Sequence, residues 1–152
     1  MVVFICTANV CRSPMAEKLF EEALTKSSSK QKISVFSAGI SAMDGDKASD
    51  NSIIACDEVG LDLSDHRSAA ITRATIENAS VIFCMTESHR ALLHMYFELP
   101  EDSPIFLMRE FMKDGSKELP DPYGQDIDIY RECRNDMVEA LPSLINWVEK
   151  NL

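Results

Sequence analysis

The sequence lacks the features of secreted, membrane-spanning and disulfide-stabilised proteins. None of the apolar runs in its 152 residues approaches the length that crosses a bilayer. A strand-like run follows Met1 at once, without the basic segment and cleavage site of a secretory signal. The five cysteines are an odd number and, except for the first two, lie far apart, so no disulfide framework is indicated. We therefore expect a cytoplasmic protein without a membrane partner.

Patterns for binding metals and nucleic acids are also missing. There is no Cys-x2-Cys motif and no pair of histidines at ligand spacing, so neither a metal nor a cofactor is expected. The close carboxylate pairs Asp44/Asp46 and Asp126/Asp128 are interpreted as solvated residues of a loop and of a helix start. The net charge of −10 argues against nucleic acid and anionic membranes as partners, and solubility alone explains it.

The remaining composition is that of one globular domain, which we expect to span residues 1–152. Apolar periodicity, helix caps and turn residues predict that strands and helices alternate along the chain. We expect strands at 2–5, 33–36, 81–85 and 104–107, helices at 14–25, 47–58, 72–78, 87–97 and 127–148, and a loop at 26–30. Such alternation predicts an α/β fold, a parallel sheet with helices on both faces that binds ligands at the carboxyl ends of its strands.

The stretch from Cys6 to Ser13, between the first strand and the first helix, carries the most chemistry. We predict that Ser13 caps the helix, with Pro14 at its first position and Glu17 in its first turn. The N–H groups of the loop and the helix N-terminus would then form an anion cradle, in which the positive potential favours a thiolate at Cys6. Arg12 adds a planar donor fork for two phosphoryl oxygens. The ordinary alternative is a buried structural Cys6 and a surface Arg12.

The motif Cys-x5-Arg-Ser-Pro after a strand resembles the low-molecular-weight protein tyrosine phosphatase family, which includes bacterial protein arginine phosphatases. The resemblance covers nearly the whole chain. It implies a three-layer, flavodoxin-like fold with a four-stranded parallel sheet in the order 2-1-3-4. It also implies a phosphorylated protein as substrate, inorganic phosphate or another oxyanion at the site, and Cys6 as the nucleophile. The phosphate-binding residues are then Thr7, Ala8, Asn9, Val10, Cys11, Arg12 and Ser13.

A thiolate that attacks phosphorus needs a partner that protonates the leaving atom and afterwards activates water. Asp121 is our candidate, since it lies between two prolines in the segment Leu119-Pro120-Asp121-Pro122-Tyr123-Gly124. Turn formation alone is the ordinary explanation of an Asp-Pro pair. The segment also resembles the acid-loop motif of the same family, and this favours Asp121 as general acid and base.

The resemblance further implies a set of residues that supports the loop. In the family a strained Asn is held by two serines and a histidine, and the matching residues are Asn9, Ser13, Ser37 and His66. Asn tolerates the left-handed backbone region better than other non-glycine residues. Ser13 can also donate to the Cys6 sulfur. The ordinary alternative for His66 is a solvated loop histidine. Ala8 stands where the family usually has Gly, which is a departure in the local backbone.

The other cysteines divide into redox and core candidates. Cys11 matches a residue that, in the family, can form a reversible disulfide with the nucleophile and protect it from over-oxidation. A small core residue under the loop is the alternative for Cys11. We expect Cys56 and Cys84 in the core and Cys133 as a partly exposed thiol on a polar helix.

Three residues bear on the choice of substrate. Tyr123 is expected to form one aromatic wall for a flat ring, and Met43 stands where many family members have an aromatic residue for the opposite wall. The similar arginine phosphatases typically carry Thr just before the second cysteine, whereas this chain has Val10, which offers no hydroxyl. The sequence therefore favours phosphotyrosine, with phosphoarginine as the closest alternative.

Two other classes of protein share parts of this pattern. Thiol-coupled arsenate reductases also begin with Cys-x5-Arg, but they need a downstream cysteine pair, and here Cys84 has no second cysteine before Cys133. A non-catalytic phosphate-binding module would need neither a thiolate nor an acid, and Cys6, Arg12 and Asp121 are all present.

Overall fold

A computed structural model describes residues 1–28 and 32–152, so part of the loop expected at 26–30 lies outside the described residues. Strands and helices alternate from the start of the chain, as predicted. The strands are β1 (Val2–Cys6), β2 (Val35–Gly39), β3 (Val81–Cys84) and β4 (Ile105–Leu107). The helices are α1 (Arg12–Thr25), α2 (Asp50–Asp57), α3 (Arg73–Asn78), α4 (Glu87–Phe97) and α5 (Ile127–Asn151).

The four strands form one parallel sheet in the order β2-β1-β3-β4, which confirms the predicted topology. β1 is a central strand, and each of its five residues is buried because both faces of the sheet are covered. Val2 of β1 pairs with Val35 on one side and with Val81 on the other. The order reverses at β1, and in such sheets ligands bind at this switch point, outside the carboxyl ends of the strands.

The helices cover the sheet on both faces. Phe4 points into a core shared with Phe20 of α1 and Met137 of α5. Its neighbours in β1 point the other way, where Ile5 packs in a second cluster with Leu93 of α4. Successive side chains of a strand point to opposite faces, so β1 contributes to both clusters. The result is the three-layer arrangement that the resemblance implies.

Several predicted boundaries were wrong by a few residues. β2 begins at Val35, two residues after the expected start, and extends to Gly39 because it pairs with the whole of β1. Helix α2 begins only at Asp50, where Ser49 accepts a hydrogen bond from the backbone N–H of Ser52 and caps the helix. α3 and α4 are capped by Thr72 and Thr86, whose side chains accept from the backbone N–H groups of Thr75 and His89.

The last helix is longer than expected and contains Pro142. Proline removes one backbone hydrogen bond and favours a kink or a helix end. The helix continues because Ala140, Leu144 and Val148 remain buried on the same face on both sides of the proline. Cys133 also belongs to this buried face, with 6% exposure, so the prediction of a partly exposed thiol was wrong.

No helix among the described residues is long and apolar enough to cross a membrane.

Candidate active site

The loop that follows β1, residues 7–11, turns its carbonyl groups outward. Five carbonyl oxygens between residues 6 and 11 accept hydrogen bonds from neighbouring segments of the chain. They belong to Cys6, at the end of β1, and to Thr7, Asn9, Val10 and Cys11. The donors are Ile40, Ser41, His66, Ser49 and Ser52. With the carbonyls engaged on the outside, the peptide N–H groups of the loop are oriented toward its centre, and this arrangement binds anions.

Asn9 holds the turn in this loop. It has a φ of 57°, in the left-handed region, and is fully buried. Its side-chain amide donates to Ser13 Oγ at 2.7 Å and to Ser37 Oγ at 3.0 Å, and its Oδ1 accepts from the Ala69 N–H at 2.9 Å. His66 Nε2 donates to the Asn9 carbonyl at 2.7 Å. The structure thus brings together the four residues proposed as loop support, although they come from distant parts of the chain.

Gly39, at the end of β2, lets this strand approach the loop at residues 7–11 closely. A Cβ atom on Gly39 would lie 2.6 Å from the Thr7 carbonyl oxygen and 2.9 Å from the Asn9 nitrogen. No side chain fits there, since real Cβ atoms do not approach backbone so closely. At Ala8, by contrast, the family usually has a glycine that this backbone does not need. Among the described residues only Asn9 and Glu98 are non-glycine residues with positive φ, so the backbone at Ala8 requires no glycine.

Cys6 lies at the carboxyl end of β1 and is 2% exposed. Its sulfur accepts a hydrogen bond from the Asn9 N–H at 3.3 Å and lies 3.0 Å from Ser13 Oγ. Ser13 is therefore not the helix cap that its sequence position predicted. The cap position of α1 falls on Cys11 without a side-chain hydrogen bond, and Pro14 is the third helical residue rather than the first. The Ser13 hydroxyl is engaged by the Cys6 sulfur and the Asn9 amide instead.

The helix dipole of α1 also lacks the acidic partner that the sequence suggested. No acidic residue lies in the first turn, because the helix begins two residues earlier than expected. Glu17 lies farther along and accepts a hydrogen bond from Ser37 Oγ at 2.8 Å. Burial raises the pKa of this carboxyl group, and the bond from Ser37 opposes that shift. Glu17 thus extends the hydrogen-bonded set around Asn9, a role that its helical position alone could not indicate.

Arg12 is 3% exposed and is fixed by backbone and side-chain acceptors. Its Nη1 donates to the Leu119 carbonyl at 2.9 Å, and its Nη2 donates to Thr7 Oγ1 at 3.4 Å. The Nε group is buried and has no hydrogen-bond partner among the described residues. A buried donor without an acceptor is costly, so an acceptor supplied by a ligand would satisfy it.

Asp121 approaches Arg12 from the loop at 119–124. Its Oδ2 lies 3.8 Å from Arg12 Nη2, and its side chain is 52% exposed. The other oxygen, Oδ1, accepts from the Tyr123 N–H at 3.1 Å. Asp121 therefore forms the turn that an Asp-Pro pair predicts, and it also faces the arginine.

A pocket of about 180 Å³ opens between these two loops. It is lined by Cys6, Thr7, Ala8, Val10, Cys11, Arg12, Asp121 and Tyr123. Tyr123 stands at its edge with 69% exposure. Met43 is 75% exposed and is not among the lining residues, so the structure does not bring it to the pocket with Tyr123.

Cys11 lies beneath the loop in a small polar cluster. Its sulfur lies 3.3 Å from Tyr130 Oη and donates to Ser49 Oγ at 3.4 Å. Burial is the largest cause that raises the pKa of this thiol, and its hydrogen bonds with Ser49 and Tyr130 oppose that shift. Both Cys6 and Cys11 are free thiols. No group of three or more His, Cys, Asp or Glu side chains within residues 1–28 and 32–152 could hold a metal ion.

A contact between Thr7 and His89 in the site was not predicted from the sequence. His89 Nε2 lies 2.9 Å from Thr7 Oγ1, although 82 residues separate the two positions. His89 lies in the first turn of α4 and is 4% exposed. Burial and the nearby charge of Arg12 lower the pKa of His89 to about 4. The sequence offers only one indirect signal, a histidine three residues after a helix-capping threonine at a strand end.

A free thiol at the carboxyl end of a central parallel strand, under a loop that closes on a buried arginine, is the architecture of a cysteine-dependent phosphatase. The chain matches the family model "Low molecular weight phosphotyrosine protein phosphatase" over residues 1–152. The protein belongs to this family.

Relatives of two kinds resemble the chain along most of its length. It is 31% identical to a protein-arginine-phosphatase of Bacillus subtilis, over 99% of this chain and 97% of the relative. It is 28% identical to the low molecular weight protein-tyrosine-phosphatase PtpB of Staphylococcus epidermidis, over 94% of this chain and 95% of the relative. A solved structure of the YwlE arginine phosphatase, a Cys-to-Ser mutant with a phosphorylated active-site serine, has a TM-score of 0.89 at 31% identity and covers 99% of this chain and 96% of its own.

Proposed function

We propose that the protein hydrolyses phosphotyrosine in phosphorylated proteins through a phosphocysteine intermediate, as a single phosphatase domain in the cytoplasm. The observation that carries this proposal is the buried Arg12 Nε without a partner, next to a cysteine whose sulfur is already hydrogen-bonded. Such a donor fits one equatorial oxygen of a phosphoryl group. Inorganic phosphate and other oxyanions would bind in the same place.

In the first step the Cys6 thiolate attacks phosphorus, the S–P bond forms and the bond to the leaving oxygen breaks. Asp121 gives its proton to that oxygen as the phenol departs. Arg12 and the loop N–H groups from Thr7 to Arg12 stabilise the charge on the phosphoryl oxygens. The exposed side chain of Asp121, 3.8 Å from Arg12, suits a group that must reach a leaving atom at the mouth of the pocket.

In the second step the ionised Asp121 takes a proton from water, and the water oxygen bonds to phosphorus as the S–P bond breaks. Inorganic phosphate and the Cys6 thiolate are the products. The thiolate is stabilised where it forms, because Ser13 Oγ and the Asn9 N–H lie 3.0 Å and 3.3 Å from the sulfur. The solved structure of a relative with a phosphorylated serine in place of the active-site cysteine supports this intermediate by analogy.

Tyr123 and Val10 support phosphotyrosine as the substrate. Tyr123 lines the pocket as an aromatic surface, and Val10 supplies an apolar wall without a hydroxyl group. Phosphoarginine is the second candidate, because the chain is also similar to arginine phosphatases. The test is kcat/KM for a phosphotyrosine peptide and a phosphoarginine peptide of the same sequence context. A preference for phosphoarginine would keep the mechanism and overturn the argument from Val10.

The buried cysteines favour hydrolysis over thiol-coupled arsenate reduction. Burial raises the pKa of Cys84 strongly and that of Cys133 to about 12, so neither is a ready partner for disulfide exchange. The result that would favour a reductase is thiol-dependent arsenate turnover in the absence of phosphatase activity.

A further inference from the structure

The contact between Thr7 and His89 defines the direction of a hydroxyl proton in the pocket. His89 Nδ1 is buried and has no hydrogen-bond partner among the residues that the structure describes. A neutral imidazole carries its proton on one nitrogen only. If that nitrogen were Nδ1, the protein would bury an N–H donor without an acceptor, which is rarer than an unpaired acceptor. The proton therefore belongs on Nε2, which donates to Thr7 Oγ1 at 2.9 Å.

Thr7 then receives two donors. His89 Nε2 donates at 2.9 Å and Arg12 Nη2 donates at 3.4 Å. A hydroxyl oxygen has two lone pairs and one proton, so both acceptor sites are used and the proton is left for a third partner. His89 and Arg12 are buried, whereas Thr7 is exposed and lines the pocket together with Cys6. The remaining direction leads into the pocket.

We propose that the Thr7 hydroxyl donates a hydrogen bond to an oxygen of the bound phosphoryl group, and that His89 is the positioning residue that orients it. This inference rests on the proposed function, since it assigns a side-chain donor to the same phosphate site. It also gives His89 a defined task. An imidazole kept neutral beside Arg12 fixes Thr7 without adding a second positive charge to the site.

The test uses binding of inorganic phosphate and of orthovanadate, with no turnover needed, by the whole protein and its variants. Thr7→Val removes the hydroxyl at nearly constant volume, and Thr7→Ser keeps it. We expect Thr7→Val to weaken binding roughly tenfold, as for loss of one hydrogen bond to a charged group. Thr7→Ser should bind within about a factor of two of wild type. Equal affinity of Thr7→Val and wild type would overturn the proposal.

The role of His89 is tested by non-additivity. His89→Phe should weaken phosphate binding about as much as Thr7→Val, and His89→Gln, which retains an N–H donor, should largely preserve it. In the Thr7→Val background, His89→Phe should have no further effect, because His89 acts through Thr7. A full effect of His89→Phe in that background would overturn the positioning role, since a general structural defect does not require Thr7.

A measurement on the wild-type protein keeps the proposal testable if His89→Phe fails to fold. The ¹⁵N chemical shifts of the His89 ring distinguish the two neutral tautomers, and we expect the proton on Nε2. The Nδ1–H tautomer would overturn the proposal. If wild type binds phosphate with the expected dependence on Thr7 but turns over no aryl phosphate, the proposed function is wrong and the assignment of Thr7 stands.

Discussion

Arg12 Nη1 donates a hydrogen bond to the Leu119 carbonyl oxygen at 2.9 Å, across 107 residues of chain. This bond joins the first residue of α1, directly after the loop that follows β1, to the loop that carries Asp121. The same guanidinium lies 3.8 Å from Asp121 itself. The proposed phosphate-binding and acid functions therefore share one anchor, and a change at Arg12 should alter both.

We predict that Arg12→Lys lowers kcat/KM for an aryl phosphate by at least about a hundredfold, although the positive charge remains. The single ammonium nitrogen of Lys cannot reproduce the planar fork that holds phosphoryl oxygens and the Leu119 carbonyl at once, and removal of one transition-state donor costs roughly this much. Steady-state kinetics check this. Arg109→Lys is the matched control, since Arg109 is also buried but donates to Ser116 and Asp136 away from the pocket. Similar losses of kcat/KM in both variants would contradict the prediction.

Cys6→Ser should abolish turnover while phosphate still binds. The serine hydroxyl is a far weaker nucleophile than a thiolate, but the arginine and the loop N–H groups remain in place. Turnover is followed with a chromogenic aryl phosphate, and binding with inorganic phosphate. Cys84→Ala changes a buried cysteine at the end of the neighbouring strand and should keep activity. Near-normal turnover by Cys6→Ser would show that the mechanism is wrong.

Asp121→Asn should lower kcat by roughly 10²- to 10⁴-fold for a substrate with a poor leaving group. The loss should be smaller for an aryl phosphate whose phenol is acidic, because such a phenol departs without a proton. Asp128→Asn is the control, since that exposed carboxylate forms an ion pair with Arg131 and with no other residue that the structure describes. A loss that is the same for every leaving group would argue against Asp121 as general acid.

The left-handed backbone at Asn9 can be separated from its side-chain bonds by two variants. Both Asn9→Gly and Asn9→Ala remove the bonds to Ser13, Ser37 and the Ala69 N–H. Only alanine also has to adopt a φ of 57° with a Cβ atom, which costs about 1 kcal/mol. We expect Asn9→Ala to be the less stable of the two by about that amount in urea unfolding. Equal stabilities would mean that the loop relaxes to another conformation.

The alternation of strands and helices and the position of Cys6 could be predicted because they depend on local pattern, whereas the strand order came only from the resemblance to the phosphatase family. A β-branched run, a loop and a helix identify a strand end whatever the rest of the chain does. Ser13 could not be assigned in the same way. As a local signal it favours a helix cap, but the turn at Asn9 brings the Cys6 sulfur and the Asn9 amide to its hydroxyl, and these contacts take precedence.

The contact between Thr7 and His89 shows more clearly what local sequence pattern cannot predict. Each residue is unremarkable in its own segment, and their contact exists only because β1 and β3 are adjacent in the sheet. Met43 was proposed as a wall from the resemblance alone. It stands where many family members have an aromatic residue, but the path of an irregular loop decides where such a side chain lies, and Met43 does not line the pocket.

The two site histidines predict a loss of stability in mild acid. Burial lowers the pKa of His89 to about 4 and also lowers that of His66. Between the lowered pKa of each folded-state ring and the ordinary histidine pKa, the unfolded chain binds more protons than the folded one, so acid favours unfolding. Stability is therefore full above the unfolded pKa, about 6.5, and falls as the pH drops toward about 4. For His89 the loss between about pH 7 and about pH 5 is about 2 kcal/mol.

Urea unfolding of wild type and His89→Gln at both pH values measures this contribution. The carboxylates titrate alike in the two proteins, so their effect cancels in the difference between them. We expect His89→Gln to lose about 2 kcal/mol less than wild type on acidification, because glutamine cannot be protonated. The same dependence on pH in both proteins would mean that His89 is protonated in the folded state without cost, and that its burial beside Arg12 does not hold the ring neutral.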